Sequence, residues 1–251
     1  FNPGDTITVY LDNATGTRRA ANVSVDPVSS ISNMHLYENR VIVRHEDTNP
    51  ITIAQMAQYD SDQDADIPFN AVDAVTDTLT LVPNTKLIVF NNKTFAPGGN
   101  VTIQSGGLAN SFDGTLELYS GATFLGASNQ SHSFGGSLLV GTGATLSAAS
   151  STITMTATTT GKTITLNGSS VYNIVFSGSG GNWAFSTSSL NVQNDFSITA
   201  GTVTLPSATS TVAGSFINSG GTLQHNNGTL QLTASSTGKS VRLNGSSLYN
   251  V

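Results

Sequence analysis

Residues 160–174 read TGKTITLNGSSVYNI and residues 237–251 read TGKSVRLNGSSLYNV, identical at ten of fifteen positions. An internal repeat of this kind takes precedence over every other feature in assigning a fold. Four of the five differences keep their character: Thr163 becomes Ser240, Ile164 becomes Val241, Val171 becomes Leu248 and Ile174 becomes Val251. The fifth puts Arg242 where Thr165 stands, so an outward position has changed while the apolar ones held. Ile164 and Leu166 sit two apart, the spacing of a strand with one buried face. Asn167-Gly168 and Asn244-Gly245 read as turn dipeptides.

Working outward, GSLLVGTGATL from Gly136 answers GSFINSGGTL from Gly214, within one residue of the offset between the two TGK segments. The period is about 77 residues, and a single coil of a β-solenoid takes about 20–30, so the unit suits about three coils. From about residue 99 onward, short alternating runs are cut by Gly, Ser and Asn, as in STITMTATTTGKTITLNG and SLNVQNDFSITAGTVTL. Stacking would pair the backbone edge of each strand with the next coil. The fold expected is all-β: a right-handed parallel β-helix or β-solenoid over residues 99–251. Residues 1–98 are expected to form an N-terminal β-rich cap with one short helix and an acidic loop. The alternative is a string of β-sandwich modules, one to each period.

In the first hundred residues, DTITVYL, HLYENRVIVRH, TLTLV and KLIVF read as strands. PITIAQMAQY reads as the helix, with Asn49 before Pro50 as its start signal. The net charge of −6 comes entirely from this half, which holds twelve acidic residues against six basic ones. Residues 101–251 carry only six charges, three of each sign, among abundant Ser, Thr, Gly and Asn. That offers nucleic acid no basic footprint. With no cysteine, disulfides, thiolate metal sites and a Cys nucleophile are excluded. No apolar run approaches the ~18 residues of a membrane helix. The chain opens at Phe1 and closes inside the second copy of the repeat, as expected of a processed product or, better, an excised piece of a longer polypeptide.

The densest local chemistry is Asp60-Ser-Asp62-Gln-Asp64-Ala-Asp66, four alternating carboxylates directly after the helix. Calcium takes six to eight oxygen ligands, and alternate residues of a tight loop can turn toward one ion. The pattern resembles the first half of an EF-hand or dockerin-type loop, though Ala65 stands where the glycine is usual and Ala71 where the glutamate is usual. A structural calcium on Asp60, Asp62, Asp64 and Asp66 is therefore expected, with Asp73, Asp77 or Glu38 as further ligands.

The other candidates read as structural. His35, His45, His132 and His225 lack zinc spacing and are expected on the surface or in strands. Asp113 and Glu117 are expected to face solvent rather than act as a glycosidase pair. Gly161-Lys162 and Gly238-Lys239 read as turns carrying a solvating charge, because the rest of a phosphate loop is missing. No G-x-S-x-G serine elbow occurs. Eight N-x-S/T sequons, at Asn13, Asn22, Asn92, Asn100, Asn129, Asn167, Asn227 and Asn244, leave glycosylation open. Tyr172, Phe176, Trp183 and Phe185 are expected to pack the core rather than form a sugar platform.

Together, residues 158–185 and 190–205 resemble repeat tracts of large secreted bacterial β-solenoid-like, adhesin-like surface proteins. Residues 59–69, YDSDQDADIPF, resemble a region that precedes such tracts. The resemblance implies an extracellular or cell-surface filament component and brings no catalytic residues with it. The function expected is thus non-enzymatic, structural or adhesive, with homotypic association, other surface components or glycans as partners. Neither nucleic acid nor membrane insertion is expected. The rivals are a carbohydrate-binding or polysaccharide-acting β-helix module and an ice-binding threonine array, the latter already broken by Arg242.

Overall fold

The computed structural model describes Asn2 and residues 4–12, 18–25 and 31–251. Two long sheets run along it, one of ten strands and one of nine, joined on a third face by two short three-stranded sheets. From Ala20–Val25 onward every neighbouring pair in the first sheet is parallel. Each coil contributes one strand to the first sheet, turns through the third face, and contributes one to the second. This is a β-solenoid, and the tandem-sandwich alternative falls away. Parallel pairing follows from the chain always returning to the same face in the same direction.

In the first sheet Leu87 lies opposite Leu116, Leu116 opposite Leu138 and Leu138 opposite Ile164. Further along, Trp183 lies opposite Val203 and Val203 opposite Leu223. Coil length therefore varies, and the step from Leu87 to Leu116 is nearly half as long again as that from Trp183 to Val203. The alternating apolar residues point inward and stack on their counterparts in the next coil. Phe196 and Phe216 are opposite one another with rings 4.7 Å apart and 3° from parallel. That distance is the spacing between paired strands, so each ring repeats the ladder inside the core.

Close stacking leaves no room for a side chain where one coil's backbone crosses another. A Cβ on Gly178 would lie 1.8 Å from the Ala157 carbonyl oxygen. At Gly181 and Gly201 it would lie 2.5 and 2.7 Å from the Trp183 indole. Phe176, Trp183 and Phe185 are buried as expected, while Tyr172 is only half-buried.

At the amino-terminal end the stack changes character. Thr6–Tyr10 pairs antiparallel with Ala20–Val25, and Phe69–Val72 pairs antiparallel with Thr78–Leu81, so each long sheet begins with a reversed strand. The ladder then runs without a break through Arg40–His45, Lys86–Val89 and Thr115–Leu118, across residue 98. Two expectations are corrected here. Only Arg40–His45 of the HLYENRVIVRH run is a strand, and the helix is the single turn Ile53–Met56. Its start is Thr52, whose side chain accepts from Gln55 N–H while Gln55 reaches back to the Thr52 N–H. The capping box, which begins beyond Asn49, is the signal that sets it.

The long repeat is not a whole number of coils. Three coils carry the chain from Lys162 through Trp183 and Val203 only to Leu223, well short of Lys239. The rest of the period carries it past the third face, so Lys162–Thr165 lies in the first sheet and Val241–Arg242 in the second. The repeated sequence nevertheless makes the same local contacts. Asn167 and Asn244 have φ of 48° and 49°, and Gly168 and Gly245 have φ of 88° and 78°, left-handed backbone that suits Asn-Gly. Ser169 Oγ accepts from Leu146 N–H at 3.0 Å, and Ser246 Oγ accepts from Leu223 N–H at 3.3 Å. Each LNGSS turn is thus a clip onto the preceding coil that works on either face.

Candidate functional site

Near its amino-terminal end the outward side of the first sheet is covered. Ile42 and Ile88 point away from the core yet are buried, because two segments fold across them. Residues 31–39 form one. Asn22 Nδ2 donates to the His35 carbonyl at 3.2 Å, and Arg44 Nη1 donates to the Ser32 and Asn33 carbonyls at 3.2 and 3.1 Å. Residues 104–112 form the other, anchored by Asp113. That carboxylate is fully buried and accepts from Asn84 N–H (2.9 Å), Gly106 N–H (2.5 Å), Leu108 N–H (3.0 Å) and the Ser105 hydroxyl (3.1 Å). The expectation that Asp113 faces solvent is corrected, since four donors replace the water it gave up.

The same segment corrects the reading of Lys162. Its ammonium is buried and donates to the Leu108 carbonyl at 2.9 Å and, at 3.4 Å, to that of Asn110. Burial lowers its pKa, and nearby Asp113 opposes the shift. Lys239, its counterpart in the second copy, is more open and pairs with Asp195 at 3.1 Å.

Between the two covering segments lies a cluster of rings and charges that sequence reading missed. The Arg40 guanidinium sits 4.5 Å from the centre of the Phe112 ring and 5.6 Å from that of Tyr37. Arg44 lies 5.0 Å from the Phe90 ring, which packs against Tyr119 at 6.4 Å. Lys86 pairs with Glu117 at 2.8 Å and Arg44 with Glu46 at 2.6 Å. Tyr119 has its pKa raised, chiefly by burial and then by Glu117, with Arg40 opposing. The available signal was alternation: Arg40, Ile42 and Arg44 share one face of their strand, and Glu117 and Tyr119 share that of theirs.

In the acidic loop Asp60, Asp62 and Asp64 turn their carboxylates to different partners. Asp60 is buried, with Oδ1 accepting from Asp62 N–H at 2.8 Å and Oδ2 from Ala71 N–H at 2.5 Å. Asp62 accepts from Asn70 Nδ2 at 2.9 Å. Asp64 accepts from Asp66 N–H at 2.9 Å and from the Tyr10 hydroxyl at 2.7 Å. The Asp66 amide and then Tyr10 lower the Asp64 pKa, and the same hydroxyl bond raises that of Tyr10. Among the described residues no three acidic or imidazole groups are placed to hold one cation. The loop as it stands fits a hydrogen-bonded corner better than a calcium site.

His45 lies in its strand, buried, with Nε2 accepting from Thr94 N–H at 3.0 Å. His132 is 1% exposed and neither ring nitrogen has a hydrogen-bond partner. The sequon asparagines Asn92, Asn129, Asn167, Asn227 and Asn244 all have positive φ and serve as turns, and Asn22 is buried. Asn13 lies outside the described residues. A shallow groove of about 490 Å³ opens on the third face beside the first LNGSS turn, lined by Ser147, Asn167, Ser169, Ser170 and Gln193 among others. Comparison with known proteins finds no matching family model, no matching curated protein and no matching solved structure.

Proposed function

We propose that this chain is a non-enzymatic structural or adhesive segment of an extracellular, cell-surface or filamentous protein. What supports the reading is the unbroken parallel ladder beneath an outward surface built from small polar side chains. One outward row runs Thr80, Thr102, Ser133, Thr154, Val175, Ser197, Ile217 and Arg242 across eight strands. Such a surface is hydrated without concentrating reactive groups, and the ladder gives length and stiffness. Val175 and Ile217 break the row, which weighs against a regular threonine array for ice.

The test has two arms. Antibodies raised against the purified chain are expected to label intact source cells, and the chain is expected to release no reducing ends from a panel of neutral and acidic polysaccharides. Labelling that requires permeabilised cells, or reducing-end release proportional to protein, would replace this reading with another.

A further inference from the structure

The Tyr37–Arg40–Phe112 cluster holds a cation that pairs with no carboxylate among the described residues. Three neighbouring cations are each paired: Lys86 with Glu117 at 2.8 Å, Arg44 with Glu46 at 2.6 Å and Arg18 with Glu38 at 3.7 Å. Among the described residues no carboxylate lies within ion-pair distance of Arg40. Its guanidinium carries five N–H donors, and one nitrogen donates to the Glu38 carbonyl at 3.0 Å. It lies over the Phe112 ring at 4.5 Å and the Tyr37 ring at 5.6 Å, and neither ring offers the carboxylate oxygens that its donors match best. Tyr37 is 49% exposed, a large apolar surface standing in water beside that charge.

We propose that this flank binds a carboxylate-bearing polysaccharide, with Arg40 taking a uronate carboxylate in bidentate fashion and Tyr37 stacking on a sugar ring. Guanidinium–carboxylate pairing is planar and charge-assisted. An aromatic face beside it favours a partner that combines an anion with a flat, partly apolar ring. The inference deepens the adhesive reading by naming a partner class. Its failure would leave the structural part of that reading, which surface labelling tests, in place.

The experiment is calorimetric titration of the full chain with oligogalacturonate, with a neutral galactose oligomer of equal length, and with polyglutamate of equal carboxylate number. Oligogalacturonate is expected to bind, more weakly as salt rises. Arg40→Gln is expected to weaken it about ten-fold or more, and Tyr37→Ala several-fold, with the circular dichroism of both variants unchanged. Arg18→Gln, which alters an already paired cation on the same flank, is expected to leave binding as it was. Three outcomes overturn the proposal. They are no binding of oligogalacturonate at millimolar concentration, equal binding of the neutral oligomer, and equal binding of polyglutamate with Tyr37→Ala silent, which would mark an acidic protein surface as the partner.

Discussion

Replacing Asp113 with alanine is expected to cost about 4 kcal/mol of stability or more, because each buried donor left unpaired costs about 1–3 kcal/mol. Three backbone amides and the Ser105 hydroxyl converge on this one fully buried side chain. Without it residues 104–112 lose their anchor, and the Leu108 and Asn110 carbonyls that hold the buried Lys162 ammonium lose their placement. A loss of that size is a large share of the ~5–15 kcal/mol that holds an ordinary domain together. Urea denaturation gives the magnitude, and hydrogen exchange should show the Gly106 and Leu108 amides opening first. Asp113→Asn keeps one acceptor oxygen and is expected to fall between parent and alanine variant. Midpoints for both variants within about 0.5 kcal/mol of the parent would show that the carboxylate is no anchor.

The second large effect is acid sensitivity centred on His132. This ring lies edge-on to Phe124 at 5.1 Å and parallel to Phe134 at 6.4 Å, inside the coil and without a hydrogen-bond partner. Burial pushes its pKa from 6.5 down to about 4. The sign follows from the proton count. Above pH 6.5 the ring is neutral in both folded and unfolded chains and adds no pH dependence. Below that the unfolded chain takes up a proton that the folded one refuses, so stability falls until about pH 4 and then levels off. The loss integrates to about 3 kcal/mol. His132→Leu removes two orphaned nitrogens from an apolar site and is expected to raise stability at pH 7 as well as flatten the profile between pH 6.5 and 4. The half-buried Asp64, whose pKa is lowered, contributes stability that is present above its ordinary 3.8 and is lost only below it, outside that window. An unchanged slope in the leucine variant would assign the acid response to other groups.

The fold was legible because its determinants are local. Alternation at Ile153 and Met155 or at Ile164 and Leu166 sets the buried face, and Asn167-Gly168 sets a corner, all within a short stretch. The phase of the long repeat was not legible. Short coils such as Trp183 to Val203 coexist with longer ones such as Leu87 to Leu116, since insertions at the corners do not disturb the strands. The number of turns in a period therefore cannot be counted from its length. Retention of the clip rather than of the face explains how the two copies can differ in position and agree in contacts. Ser169 and Ser246 need only a free amide one coil below, which Leu146 provides on the third face and Leu223 in the first sheet.

The site was less legible than the fold for a related reason. Asp113 lies beside Gly114, whose φ of 66° breaks the alternation on which an outward reading depends. Lys162 follows a turn glycine, the usual place for a solvated charge, and is buried only because residues 104–112, far earlier in the chain, fold over it. Whether a surface charge stays on the surface is decided by where distant loops land. The rings around Arg40 and Arg44 are Tyr37, Phe90, Phe112 and Tyr119, from four separate segments, and no local pattern links them.

One continuous parallel stack joins the amino-terminal region to the repeats. Because the chain has no cysteine, nitroxide labels can be placed uniquely at Thr80→Cys and Ser197→Cys, two outward positions in one row of the second sheet. Thr102, Ser133, Thr154 and Val175 stand between them, so the pair is separated by five strand spacings. At roughly 4.8 Å per spacing, double electron–electron resonance should give a single distribution centred near 24 Å, broadened only by the label linkers. A broad distribution, or one centred beyond about 40 Å as independent modules would produce, would contradict the stack.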